Sequence, residues 1–222
     1  MLATFIVEIF LAAFVFIIYR ATAFGRWAGV LLLLLATFQI SEYQICVAPD
    51  ALWWPQIGFA AITLIPVCGL YLISLVTKKT HFLSVGIVMS AAFMIYFLFV
   101  PHSITSAFCG GNYVIFEAPQ SSYMLFGLYY FGFLMLALWE AFEKITELGE
   151  QSKTRRVLQW FIAGYLSFLL PMAIVYVTLS PARSAIASIM CGFALVLAFI
   201  FVFKILPLYH SIHVRDKMRK KK

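Results

Sequence analysis

The chain has 222 residues, of which 64% are hydrophobic and only 11% charged, and its mean hydropathy is +0.99. A soluble domain carries about a quarter charged residues, so the composition excludes an ordinary water-soluble globule, and the length suits one helical bundle without a second domain. The formal net charge of +7 does not signal nucleic acid, because the basic residues cluster beside apolar blocks, where the positive-inside rule and anionic headgroups account for them.

The first apolar block, 2–19, begins Met1-Leu2-Ala3-Thr4 with no positive n-region, contains Glu8 and lacks a small-residue cleavage site before Tyr19-Arg20. It is expected to be a retained span rather than a signal peptide. Further blocks follow at 27–45, 53–76, 82–101, 122–142, 157–179 and 184–206. Each is long enough to cross a hydrocarbon core about 30 Å thick at about 1.5 Å per residue. Backbone amides in lipid must be satisfied internally, so such blocks are helices. A barrel would show shorter segments with period-two alternation. The expectation is an all-α bundle of seven transmembrane helices over residues 1–209, followed by a basic tail, 210–222.

Orientation follows from the connections. Arg20 and Arg26, Lys78 and Lys79, Lys144, Lys153, Arg155 and Arg156, Lys204 and the tail lysines and arginines fall on one side, and Arg183 alone on the other. The basic side is assigned to the cytoplasm, which places the N-terminus outside and the C-terminus inside. The long segment 102–121, with His102, Cys109, Gly110, Gly111, Asn112 and Pro119, is then outside. The segment 143–156 is inside and reads as a helical extension of span five, with Glu140 and Glu143 able to meet Lys144.

Cys46 and Cys109 both lie on the outer side, where oxidation is possible. Either they form a disulfide that clips the long loop across the mouth of the bundle, or they are two free thiols. Cys68 and Cys191 fall inside spans and read as packing residues. His81, His210, His213 and His102 all lie near surfaces, so no haem or other cofactor is expected. Lys204 is about one turn from the inner end of its span, which fits snorkelling better than a retinal Schiff base. Mid-span Pro66 and Pro171 mark helix bends, static or mobile.

Glu8 and Glu42 are the ionisable residues within spans away from the basic face, and such residues are expensive to bury and functional by default. With Gln39, Tyr43, Trp53, Trp54 and Gln56 they form a candidate outer-leaflet ligand pocket. Interfacial Trp and Tyr belts, with Glu42 facing headgroup water, would explain the same residues without a ligand. Lys153, Arg155, Arg156, Arg215, Lys217 and Arg219 form a candidate cytoplasmic docking surface. No HExxH, Walker loop, GxSxG or paired intramembrane aspartates occur, so no enzyme is expected. Two Pro-Gln dipeptides, Pro55-Gln56 and Pro119-Gln120, lack the repeat relation of a transporter.

Three segments, WWPQIGFAAITLIPVCGLYLISLVTKK, FLFVPHSI and SKTRRVLQWFIAGYLSFLLP, are similar to the seven-helix sensor region at the N-terminus of many bacterial and archaeal sensor histidine kinases. The resemblance covers most of the chain but rests on hydrophobic patterns. The spacing of Gln56 from Pro66 departs from that family, and no binding residue is carried across. The family continues into a kinase or cyclase domain, whereas this sequence ends HSIHVRDKMRKKK, so any output is expected to pass through a partner protein. The resemblance implies a multi-pass protein of a bacterial or archaeal cytoplasmic membrane. The leading expectation is a stand-alone receptor or sensor-like module that binds a small molecule or lipid near its outer face. A non-catalytic accessory subunit of a membrane complex and a small transporter are the alternatives. Expected partners are membrane lipids and another membrane or cytoplasmic protein.

Overall fold

The computed structural model describes residues 1–48, 53–110, 113–178 and 185–219, without the side chains of residues 176, 187, 191 and 214–219. Arg183 and the side chains of Cys191, Arg215, Lys217 and Arg219 therefore lie outside the described residues. The helices are α1 (Leu2–Ile18), α2 (Ala23–Val47), α3 (Trp53–Thr77), α4 (Leu83–Phe99), α5 (Gln120–Glu147), α6 (Lys153–Thr178), α7 (Ile186–Ile200) and α8 (Leu206–Arg219). A π-helical turn, Phe201–Ile205, joins α7 to α8 directly before Pro207, whose missing N–H and ring interrupt the regular ladder.

Five helices are long and apolar enough to cross a membrane, namely α2, α3, α5, α6 and the continuous rod Ser188–His213; α1 and α4 are shorter apolar helices. By length and composition this is a multi-pass membrane protein. The outward faces agree: Phe10 is 71% exposed, Ile17 75%, Phe99 75% and Val177 74%. In water such a girdle would drive aggregation; against lipid tails it is at home.

The central element is α3, the most buried of the long helices. It packs on α2, α4, α5 and α6, while α1, α2, α6 and α7 close the remaining side of the bundle and α4 sits at the edge. Pro66 lies inside α3, and the Tyr129 hydroxyl of α5 donates to the Thr63 carbonyl at 2.6 Å, near the point where the proline opens the ladder. Phe59, Phe97 and Phe126 form an aromatic knot between α3, α4 and α5, with ring centroids 4.8 to 5.7 Å apart.

Helix boundaries follow local chemistry more than hydropathy. Helix α2 begins at Ala23, ahead of the expected 27, because the Thr22 side chain accepts the Gly25 N–H at 3.0 Å and caps it. Helix α5 runs past the apolar block, but only to Glu147: the expected extension over 143–156 breaks at Leu148, and residues from Lys153 on belong to α6. The expected pairing there is corrected. Lys144 meets Glu147, at 2.7 Å, and not Glu140 or Glu143. Glu143 and Glu147 instead hold Lys79, at 2.9 and 3.2 Å, because the turn after α3 brings that ammonium over the end of α5. Glu140 is buried, and neither carboxylate oxygen has a hydrogen-bond partner among the described residues.

The described chain is all-helical in its main body, as expected, with one small addition in a connection. Segment 102–121 contains an antiparallel hairpin of β1 (Ser106–Cys109) and β2 (Val114–Glu117), with Ser106 opposite Glu117 and Cys109 opposite Val114. Its inward face is apolar by strict alternation, since Val114 and Phe116 are buried while Glu117 is exposed. Phe116 rests on Phe59 and Phe38, with centroids 5.1 and 6.0 Å away. The hairpin is thus a plug in one end of the bundle. That end is called the hairpin end below, and the other, carrying Lys78, Lys79, Lys144 and Lys153, the basic end.

The turn from α1 to α2 is close-packed. A Cβ on Gly25 would run into the carbonyl of Tyr19, which is backbone and cannot swing aside. Gly25→Val should therefore cost about 1–3 kcal/mol, the usual penalty for overpacking, seen as a lower midpoint of thermal or denaturant unfolding in detergent. An unchanged midpoint would mean the turn has slack that the packing does not show.

Candidate functional site

The sequence-derived pocket residues separate into two groups. The first is buried between α1, α2 and α7. Glu8 on α1 is 0% exposed, and Gln39 and Glu42 on α2 are 2% and 1% exposed, values that remove all three from any headgroup–water interface. Glu8 and Glu42 lie within electrostatic reach of each other. The Thr4 hydroxyl donates to Gln39 Oε1 at 2.8 Å and ties α1 to α2. Ser41 turns its hydroxyl back onto the Phe38 carbonyl, at 2.8 Å. A Cβ on Gly58 would strike that hydroxyl, so α3 approaches α2 closely at this level.

Both oxygens of Glu8 and Oε1 of Glu42 have no hydrogen-bond partner among the described residues. A buried carboxylate left unpaired is costly, and buried polar groups are otherwise almost always satisfied. This pair is therefore not explained by packing. Glu42 takes a hydrogen bond from Ser188 of α7, and both acids lie within electrostatic reach of the Met1 ammonium. The Ser188 oxygen also accepts the backbone N–H of Val114, at 3.1 Å. One hydroxyl thus connects strand β2 of the hairpin to the acid on α2. Sequence reasoning missed Ser188; its only signal was a hydroxyl on an otherwise apolar helix.

The second group sits at the start of α3. Trp53 and Trp54 stack, with ring centroids 3.9 Å apart, and Trp53 is exposed in the manner of an interfacial anchor. Gln56 turns toward the hairpin and lines a cavity of about 200 Å³ together with Pro55, His102, Ile104, Thr105, Ser106 and Ala107. Glu8, Gln39 and Glu42 do not line it. Tyr43 is half-buried on α2. A narrower apolar cleft of about 60 Å³ lies between Phe59, Ile62, Phe126, Ile186 and Met190.

The hairpin reaches the first group through Ser188 and the second through the cavity beside Gln56, and it is fastened to the bundle. Cys46, at the end of α2, is disulfide-bonded to Cys109 of β1, with a Cα–Cα distance of 5.1 Å. Of the two sequence readings, the bridge is the one present. Cys68 is a buried free thiol, placed as a packing residue. Backbone bonds from Thr105 to Glu117 and from Gly110 to Tyr113, each 2.8 Å, close the hairpin at its two ends. His102, at the hairpin's foot, has φ 59, the left-handed region that a histidine enters at a cost.

At the basic end the expected docking residues are partly engaged within the chain. Lys153 donates to Ser211 of α8 at 3.1 Å, and Arg155 to the Leu148 carbonyl at 3.1 Å, so both hold the α5–α6 turn and α8 in place. Arg156 is exposed. Lys204 is exposed and lies 5.6 Å from the centre of the Trp160 ring, a cation–π contact at the surface. No family model matches the chain, and no curated protein matches it.

The bridge makes a direct prediction. Without reductant, a membrane-impermeant maleimide should not label Cys109 in the native chain, and Cys46→Ser should expose it to stoichiometric labelling. The same change should lower the melting temperature, because the bond closes a separation of 63 residues. Equal labelling of Cys109 in the two proteins would reject the bridge.

Proposed function

We propose that the chain is a seven-span membrane receptor or sensor-like module, N-terminus outside and C-terminus in the cytoplasm, which binds a small polar molecule beneath its outer hairpin. Several features support this reading. Helices α1 and α4, with 17 residues each, reach about 26 Å at 1.5 Å per residue, within the range of a short span. The basic side chains collect at one end and the disulfide at the other, as expected for a cytoplasmic and an oxidising face. The resemblance to histidine-kinase sensor regions implies the same topology.

The observation that carries the functional reading is the connection from the hairpin to the buried acid. The cavity at the hairpin's foot is lined by Gln56, His102, Thr105 and Ser106, side chains that donate and accept hydrogen bonds. Its size, about 200 Å³, exceeds the roughly 150 Å³ that accommodates benzene. A ligand seated there touches both α3 and the hairpin. Any displacement of β2 alters the Val114–Ser188–Glu42 contacts and with them the packing of α7 on α2. Helix α7 continues through the π-helical turn into α8 at the cytoplasmic end, which supplies a route for output.

Purified in gentle detergent, the protein should be a monomer or homodimer whose melting temperature is raised by members of a small polar-metabolite library. Gln56→Leu and His102→Leu should each weaken that stabilisation at least tenfold in apparent affinity while leaving the unliganded protein folded. Recovery in fixed ratio with several other membrane proteins, with no compound stabilising it, would replace the receptor by an accessory subunit. Stabilisation indifferent to both substitutions would remove the cavity from the account.

A further inference from the structure

The basic end holds a second cavity of about 190 Å³, lined by Leu75, Val76 and Lys78 at the end of α3, Thr154 in the first turn of α6, and Tyr209, Ile212 and His213 on α8. None of these lining residues is acidic. Among the described residues, Glu143 and Glu147 at the same end are paired with Lys79 and Lys144. The Lys78 ammonium is in no ion pair among the described residues, although its sequence neighbour Lys79 is in two.

Lys78 also occupies a position that favours a different residue. Its N–H bonds to the Ser74 carbonyl at 2.8 Å, closing the last turn of α3, and its φ is 64. This left-handed position just past a helix is where glycine is the least costly choice. A lysine there is strained, and it places its side chain at the cavity. Opposite it, Thr154 offers a hydroxyl at the N-terminus of the 26-residue helix α6, the end of a helix that favours anions. His213 adds a ring nitrogen, and Lys153, bonded to Ser211, holds α8 against α6 beside the opening. Leu75, Val76 and Ile212 make the rest of the wall apolar.

We infer that this cavity binds the phosphate of an anionic phospholipid, with Lys78, Thr154 and His213 on the phosphate and Leu75, Val76 and Ile212 on the first carbons beyond it. The cationic and apolar walls stand side by side, which suits a headgroup attached to hydrocarbon more closely than a free ion. The inference does not depend on the receptor reading, which concerns the opposite end of the bundle.

The test uses the full chain in detergent and three probes: dioctanoyl phosphatidic acid, dioctanoyl phosphatidylcholine and inorganic phosphate. Phosphatidic acid should raise the melting temperature in a saturable way, and the other two should not. Lys78→Gly should weaken that effect at least tenfold and keep the unliganded melting temperature, because glycine suits the backbone there; Lys78→Asn, which also tolerates a positive φ, should behave alike. His213→Gln should weaken it several-fold, and Lys144→Gln, which removes an equal charge nearby, should leave it within twofold. Unchanged affinity in both Lys78 variants would overturn the site, as would equal stabilisation by phosphatidylcholine. Equal stabilisation by inorganic phosphate would overturn the lipid as its source.

Discussion

A backbone amide that enters hydrocarbon must find its partner within the chain, and the rest of this structure is arranged around that requirement. The apolar blocks answer it by forming helices. Prolines interrupt the ladder inside the long helices at Pro66, Pro171 and Pro207; beside Pro66 the Tyr129 hydroxyl donates to the Thr63 carbonyl, and before Pro207 a wider π-helical turn takes up the change. The strands among the described residues are confined to one end of the bundle, where they pair with each other and with Ser188. The hairpin can plug the bundle only because its own amides are satisfied in this way.

The same low-polarity interior makes the acids conspicuous. Glu8 and Glu42 are as buried as the core phenylalanines, yet three of their four oxygens have no hydrogen-bond partner among the described residues, and the Met1 ammonium reaches the pair only electrostatically. A chain under selection for packing alone would have apolar residues here, since an apolar replacement of equal volume is usually neutral or better. Glu140, buried toward the basic end, has no hydrogen-bond partner among the described residues for either oxygen, though His81 and Lys79 lie within electrostatic reach of it. The acid pair gains its interest from what lies above it: a covalently clipped hairpin whose strand reaches Glu42 through one hydroxyl.

Much of this was legible in the sequence, and the remainder was hidden for definable reasons. Hydropathy located the helical blocks, and Glu8 and Glu42 stood out because charge in an apolar run has few innocent explanations. Helix ends were less legible, because α2 starts where Thr22 caps it and α5 stops where its ion pairs do, neither of which hydropathy records. The hairpin was readable in principle from SAFC and VIFE around Gly110-Gly111-Asn112, but four-residue strands carry little periodicity against so apolar a background. The candidate pocket reads as one site in the sequence because its residues share the outer level of the first three spans. Helical geometry divides it, turning Gln39 and Glu42 inward to α1 and leaving Gln56 to face the hairpin. Ser188 could not have been linked to Glu42 from spacing, because a contact across a separation of 146 positions is a property of the tertiary fold.

The central claim is that the hairpin and the buried acid communicate through the Ser188 hydroxyl. A double-mutant cycle on unfolding stability, with Ser188→Ala, Glu42→Leu and the two combined, isolates that contact. The account predicts that the two changes are non-additive by about 1 kcal/mol, the scale of one buried hydrogen bond. Additivity within about 0.3 kcal/mol would contradict it and leave Glu42 as a buried acid without a connection to the hairpin.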